Sequence, residues 1–146
     1  MAYITQSLVQ QRIGETELIR LTDDAVAGAV GTDNLARAIA EGEGEILNNL
    51  GQRYVLPLGL SNLSTSAAVF AKLLDAVLYR LHARRPPVPE DVSLDYDRAI
   101  KWSRSIAKGE IGLLDETLLG ESPAGQGKMI IDGSSRVITR DSMSGL

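Results

Sequence analysis

The segment from Asn62 to Arg84 constrains the fold of this chain more than any other part of the sequence. Its apolar side chains recur at the three- and four-residue spacing of a helix, and a helix of this length is about 30 Å long. A stripe this broad is typical of a helix that is buried along much of its length. Pro86 and Pro87 follow and end the helix. The members of the stripe are Ala67, Phe70, Leu73, Leu74, Val77, Leu78 and Leu81.

The remaining elements are predicted to be shorter helices joined by loops. Thr5 is a candidate N-cap for the first helix, and Thr32 or Asp33 is predicted to cap the helix that Gly51 closes. The residue before Pro57 avoids the helical region, which favours an extended strap there. The predicted ranges are a helix over 5–12, a turn or two over 15–21, a loop over 22–32, a helix over 33–50, the strap over 53–58 and a helix over 90–108.

The composition favours packed helices over a β-sandwich. Only six of the 146 residues are aromatic, so the core must be built mainly from Leu, Ile, Val and Ala. The fold class is therefore predicted to be mainly α, a small bundle of about four helices over residues 1–119. Gly42 and Gly44 lie inside one of these helices at a cost of about 1 kcal/mol each, which predicts close packing or a bend there.

Residues 120–146 differ in composition and are predicted to form a Gly/Ser-rich C-terminal arm. Two apolar runs, 128–132 and 136–140, flank a three-residue Gly-Ser-Ser loop, which is typical of a β-hairpin over 128–140. An isolated hairpin is marginally stable in water, so the arm is expected to need a partner surface.

Cysteine is absent and histidine occurs once, which excludes a disulfide framework, a zinc finger and thiol catalysis. His82 has three arginines within three residues and no evident carboxylate to orient it, so a packing or helix-end role is favoured. The Gly-rich stretch 120–129 fails the phosphate-loop pattern at Ser122 and Met129. The glutamates at 41, 43 and 45 are interpreted as a solvated acidic face. No catalytic, cofactor-binding or metal-ligating residue is predicted, and the chain is not expected to be an enzyme.

Charge is unevenly distributed along the chain, which carries −4 overall. Residues 1–60 have four basic and eight acidic side chains, residues 61–108 have eight and five, and residues 109–146 have three and six. Such segments favour contacts between copies or with charged partners, although solvated helix faces explain them equally well. The basic side chains of the middle segment are expected to form ion pairs between subunits, because acidic neighbours and the lack of interleaved aromatics argue against DNA binding. They are Lys72, Arg80, Arg84, Arg85, Arg98, Lys101, Arg104 and Lys108.

No targeting or membrane segment is predicted. The first residues lack a basic region followed by an apolar run, and Lys72, Asp75 and Arg80 interrupt the longest apolar stretch. The protein is therefore expected in the cytoplasm of the cell that makes it, with no membrane partner.

Short motifs spread over the whole chain resemble the small head-tail connector proteins of Mu-like bacteriophages and prophages. Each motif is weak alone, but their order and spacing are fairly specific together. They are Met1-Ala2-Tyr3-Ile4-Thr5-Gln6, Glu17-Leu18-Ile19-Arg20-Leu21-Thr22-Asp23, Glu45-Ile46, Arg53-Tyr54-Val55-Leu56-Pro57-Leu58, Tyr79-Arg80-Leu81-His82, Tyr96 through Gly109, and Arg140-Asp141-Ser142-Met143-Ser144-Gly145-Leu146. The sequence departs from the family pattern at Gly42 and Gly44, where Ala-like residues are usual, and at Leu146, where Phe is common.

The resemblance implies a structural virion protein with no catalytic residues and no cofactor. About a dozen copies would form a ring beneath the portal protein in the neck of the virion, with tail or neck proteins below and double-stranded DNA passing through the lumen. The alternative is a cytoplasmic helical module that binds other proteins as a monomer or dimer. Candidate contacts with other subunits or the portal are Trp102, at the edge of the last helix's inner face beside Ile106, and the arm residues Ile130, Val137, Arg140, Met143 and Leu146.

Overall fold

A computed structural model describes residues 2–120 of the chain, and this part contains five α-helices. No strand is present over these residues, where β pairing is limited to an isolated antiparallel bridge between Tyr54 and Leu118. The predicted mainly-α class is confirmed, and the turn or two predicted over 15–21 is a separate helix of eight residues. The predicted hairpin over 128–140 lies outside the described residues. The helices are α1 (Gln6–Ile13), α2 (Glu15–Thr22), α3 (Thr32–Leu50), α4 (Leu63–Ala83) and α5 (Glu90–Ala107).

Helices α3, α4 and α5 pack pairwise on one another, α2 contacts α3 and α4, and α1 packs on α2. The long predicted helix is therefore the central one, as its apolar stripe implied. The stripe itself is rotated slightly from the prediction: Ala67 is exposed, whereas Val69 and Ala76 are fully buried. Helix α4 packs against both α3 and α5. Residues that face either neighbour are therefore buried, and they do not form one continuous apolar stripe.

The core is aliphatic, as the composition predicted. Tyr54 is the one aromatic residue among the buried hydrophobic side chains of residues 2–120. Other aromatic rings lie at the borders of the core, where Tyr79 and Tyr96 stack with ring centroids 4.0 Å apart. The largest fully buried apolar side chains are Ile4, Leu18, Leu21, Ile46, Leu50, Leu73, Leu81 and Ile106.

Polar side chains cap the first and the fourth helix, and the Thr5 cap was predicted from the sequence. The Thr5 hydroxyl accepts a hydrogen bond from the Leu8 amide, and the Asn62 side chain accepts from the amides of Ser64 (3.0 Å) and Thr65 (3.2 Å). Gly14 ends α1 with a φ of +85°, in the left-handed region that glycine tolerates best.

The predicted cap of α3 is wrong, because Thr32 is already helical and Gly31 precedes it without a side-chain cap. A Cβ at Gly31 would lie 2.1 Å from the Thr22 carbonyl oxygen, so only glycine fits between the two segments. The Gly31 amide donates to the Thr22 hydroxyl at 3.0 Å. A close approach between the α2 and α3 ends therefore replaces the expected local cap.

The two glycines inside α3 have opposite environments. A Cβ at Gly42 would lie 2.7 Å from the Val77 nitrogen and 2.8 Å from its Cα, so α3 and α4 meet there backbone to backbone. A Cβ at Gly44 would meet nothing within 4 Å. The predicted close packing is confirmed at Gly42. Gly44 destabilises the helix relative to alanine, and no close contact compensates for this cost.

Alanine substitutions at these two glycines are expected to have opposite effects on stability. Gly42→Ala forces the two helix backbones apart and should lower the free energy of unfolding by about 1–3 kcal/mol. Gly44→Ala adds a methyl group in open space and should raise it by about 1 kcal/mol. Urea denaturation followed by circular dichroism measures both, and equal effects at the two sites would contradict this assignment.

Candidate interaction surfaces

The residues that lead into the C-terminal arm are fastened to the strap that follows α3. Around the bridge of Tyr54 with Leu118, the Val55 amide donates to the Thr117 carbonyl at 2.9 Å and the Leu119 amide donates to the Arg53 carbonyl at 2.8 Å. These bonds hold the chain up to residue 119 against the folded domain, so the arm starts from a defined place.

Side chains reinforce this attachment at three further points. The Glu116 carboxylate accepts hydrogen bonds from the amides of Gly59 (2.9 Å) and Leu60 (2.6 Å). The buried Tyr54 hydroxyl accepts from the Leu113 amide at 2.7 Å, and the Thr65 hydroxyl exchanges hydrogen bonds with the Leu114 backbone. Segment 113–119 is therefore bound to both the strap and the start of α4.

Exposed apolar side chains are frequent on the segments that these bonds join. Leu63 is 84% exposed and Leu114 is 62% exposed, and their neighbours Asn62 and Asp115 are hydrogen-bonded to each other at 3.0 Å. We call this set the apolar end: Val55, Leu56, Leu63, Ile111, Leu114 and Leu119. No local sequence pattern indicates this surface, because it forms only when residues about 60 positions apart in the chain are paired.

Two glutamates of α3 bind within the fold, which corrects the interpretation of a solvated acidic face. Glu43 is only 5% exposed, and its carboxylate accepts a hydrogen bond from the Ile4 amide. Glu45 pairs with the Arg80 guanidinium at 2.7 Å. Only Glu41 stays exposed, as expected for all three.

The Glu45 carboxylate also joins α5 to the other two core helices. The Tyr96 hydroxyl donates to it at 2.8 Å, while the Tyr96 ring stacks on Tyr79. Burial, followed by the adjacent Glu45, raises the pKa of Tyr96 to about 12. One carboxylate thus ties α3 to α4 through an ion pair and to α5 through a phenol.

Most cations of the basic middle segment are paired inside the chain. Asp24 binds Arg84 at 2.6 Å and Arg85 at 3.2 Å, which closes the loop between α2 and α3 over the end of α4. Lys72 and Arg98 pair with aspartates on their own helices. Folding therefore brings intrachain partners within reach of five of the eight cations, and ion pairing between subunits stays a prediction.

Two cations of α5 and the Lys108 that caps its C-terminal end remain without an ion pair among residues 2–120. Lys101, Arg104 and Lys108 are exposed and follow one another at spacings of three and four, so they share one face of the helix. We call this the basic face. The buried side of α5 is formed by Ala99, Ile100, Ser103 and Ile106.

An acidic groove of about 240 Å³ lies between α1, α4 and the start of α5. Asp75, Asp91 and Asp95 line it, together with Arg12. Burial raises the pKa of Asp75, and the neighbouring carboxylate of Asp95 adds to the effect. The rest of the lining is apolar and consists of Ile13, Leu78 and Val92.

Trp102 is half-buried and packs against the core on the partly covered edge of α5. Ile106 was predicted to share that edge, but it is completely buried in the hydrophobic core. The other predicted contact residues, Ile130, Val137, Arg140, Met143 and Leu146, lie outside the described residues. The structure therefore places one of the six predicted contact residues and does not test its role.

His82 is 6% exposed in the last turn of α4, which agrees with its predicted packing role. Burial lowers its pKa below the usual 6.5, and Glu17 opposes this shift. Over residues 2–120, no three side chains from His, Cys, Asp and Glu are grouped so that they could bind a metal ion. None of the helices in this part of the chain is long and apolar enough to span a membrane.

Acid should destabilise the fold through His82. A histidine with a lowered pKa in the folded state stabilises fully above the unfolded pKa of about 6.5, and this contribution is lost as the pH falls through the folded value. His82→Gln should therefore lose less thermal stability than the parent chain between pH 7 and pH 5. Melting temperatures across this range measure the difference, and parallel curves would contradict the assignment.

Comparison with known proteins identifies the family of the chain that carries these surfaces. The family described as Bacteriophage Mu, Gp36 matches residues 3–131, which include all five helices and part of the arm. Neither a curated protein nor a solved structure matches the chain. Because the family match covers most of the sequence, the resemblance to Mu-like phage proteins is confirmed and the chain belongs to the Bacteriophage Mu, Gp36 family.

Proposed function

We propose that this protein is a head-tail connector, a ring-forming adaptor that joins the portal vertex of a phage capsid to the tail. The observation that carries the proposal is the family match over residues 3–131, together with the motifs that resemble Mu-like connector proteins from end to end. In this role the protein is a structural component of the neck, made in the host cytoplasm and acting by docking rather than by catalysis.

The surface of the described domain suits a subunit with several neighbours. The acidic groove, the basic face and the apolar end involve different residues, and a ring subunit needs two complementary lateral faces plus contacts above and below. The apolar end is the part where the arm begins, so an axial partner such as the portal protein would find apolar side chains and the arm together. We assign the apolar end and the arm to contacts with the portal or tail.

The charge of the chain fits a pore through which DNA moves. Strong neutralisation of phosphates would hold the DNA, whereas the net charge of −4 and the internal pairing of most middle-segment cations leave little free positive charge. We therefore propose transient, non-specific passage of double-stranded DNA without tight binding. About a dozen copies would surround this passage.

Deletion of the gene from an inducible phage tests the proposal. We expect the deletion to yield separate heads and tails, since the joint between them is missing, and electron microscopy of the lysate shows this directly. Supplying the full-length chain in trans should restore joined particles that contain it. Normal joined particles without the chain would overturn the connector role and favour the cytoplasmic binding module.

Removal of the arm separates its role from that of the folded domain. A chain that stops after Leu119 keeps all five helices and the bridge of Tyr54 with Leu118, so it should still fold. We expect it to lose binding to portal-bearing capsids and to give few infectious particles in the deletion background. Circular dichroism controls for folding, and wild-type titres from the truncated chain would show that the arm is dispensable.

A further inference from the structure

We propose that neighbouring copies of this chain join head to tail, with the basic face of α5 on one copy docked in the acidic groove of the next. The inference rests on the proposed ring and names the lateral contact that would build it. It assigns a partner, a second copy, to two surfaces that the fold leaves without one.

The carboxylates of the groove are only partly paired within their own chain. Asp75 reaches Lys72 only at 3.7 Å and Asp95 pairs with Arg98 at 3.1 Å, while Asp91 forms no ion pair among residues 2–120. Arg12 lines the groove without an ion pair to these carboxylates. Burial of Asp75 makes an additional cation favourable there, because its charged form is disfavoured in the free subunit.

The groove also suits the shape of a basic side chain. Its apolar lining, Ile13, Leu78 and Val92, offers contact to the methylene stem of a lysine or arginine while the carboxylates bind the charged end. The volume of about 240 Å³ is that of a side-chain pocket rather than of a site for a large ligand.

The basic face supplies the matching cations from a rigid element. Lys101, Arg104 and Lys108 are exposed on α5, and the opposite side of this helix is packed against α3 and α4. The other cations of residues 61–108, such as Arg80 and Arg84, already form ion pairs within the chain. Among the described residues of this segment, the basic face therefore holds the cations that have no intrachain ion pair.

Both surfaces include residues near the same helix, which keeps them apart within one copy. Asp91 and Arg104 are 13 positions apart on α5, about 20 Å along the axis, so one copy cannot fill its own groove. A contact between two different surfaces is heterologous and repeats in one direction, which closes into a ring when the rotation permits. A two-fold dimer would instead pair each surface with itself or exchange both at once.

Acidic residues at the start of α5 and basic residues at its end also complement the helix dipole within one subunit. That role affects the stability of a single copy and requires no approach between copies. A test must therefore detect proximity between Asp91 of one chain and Arg104 of another.

Because the chain contains no cysteine, a thiol-specific crosslinker reacts only at cysteines introduced by substitution. Phage carrying the deletion would be grown with two full-length variants supplied together, Asp91→Cys and Arg104→Cys, and the lysate treated with a short bismaleimide. We expect a crosslinked dimer from the mixture and none from either variant alone. The double variant Asp91→Cys/Arg104→Cys should give a ladder of higher species.

Arg37→Cys is the matched control for Arg104→Cys, since Arg37 is an exposed arginine on α3 that forms no ion pair among the described residues. Its mixture with Asp91→Cys should remain monomeric. A dimer from the Asp91→Cys variant alone, or equal crosslinking through position 37, would overturn the head-to-tail contact. So would a monomer in the Asp91→Cys and Arg104→Cys mixture.

A charge exchange gives an independent measurement. Arg104→Glu should lower the phage titre about tenfold or more by placing a carboxylate in the acidic groove, and Asp91→Lys in the same chain should restore it. Arg37→Glu should leave the titre unchanged. If joined particles contain the chain but give no crosslink, this contact is rejected and the connector role is kept. If the crosslink forms but the phage with the deleted gene also assembles normally, the connector role alone is rejected.

Discussion

The contact between the backbones of α3 and α4 at Gly42 determines how the rest of the domain is arranged. With no side chain at this position, α3 lies directly against Val77 in the middle of the long central helix. The next turn of α3 then presents Glu43 to the Ile4 amide and Glu45 to Arg80 and Tyr96. The missing methyl group therefore sets the distance between α3 and α4, and the carboxylates that follow it on α3 join the N-terminal segment and α5 to this pair.

This close packing also controls which charges remain for other molecules. A buried or half-buried carboxylate must be hydrogen-bonded or paired, so Glu43 and Glu45 are committed to the fold. Asp24 commits Arg84 and Arg85 in the same way at the far end of α4. The charges that stay exposed on α5 are separated along the helix, with carboxylates towards its start and cations towards its end.

The sequence predicted the features that depend on local spacing and failed where distant segments meet. The long helix, the Thr5 cap of the first helix and the close packing at Gly42 follow from periodicity, capping chemistry and the cost of glycine. The burial of Glu43 and the bridge of Tyr54 with Leu118 depend on residues about 40 and 60 positions away. The acidic groove needs three helices at once, so no spacing rule shows that Asp75 and Asp91 line one surface.

Helix α5 shows how one element can serve both the fold and an assembly without conflict. Its buried side is fixed by Ala99, Ile100 and Ser103, and changes of charge on the opposite side leave that packing intact. Charged side chains on an exposed face contribute little to the stability of a single subunit, because water screens them. Their attraction to opposite charges would become stronger if a neighbouring molecule displaced that water. Such charges would therefore contribute more to association than to the stability of the monomer. In the proposed ring, a subunit with this division would fold first and then be guided to its neighbours by charge.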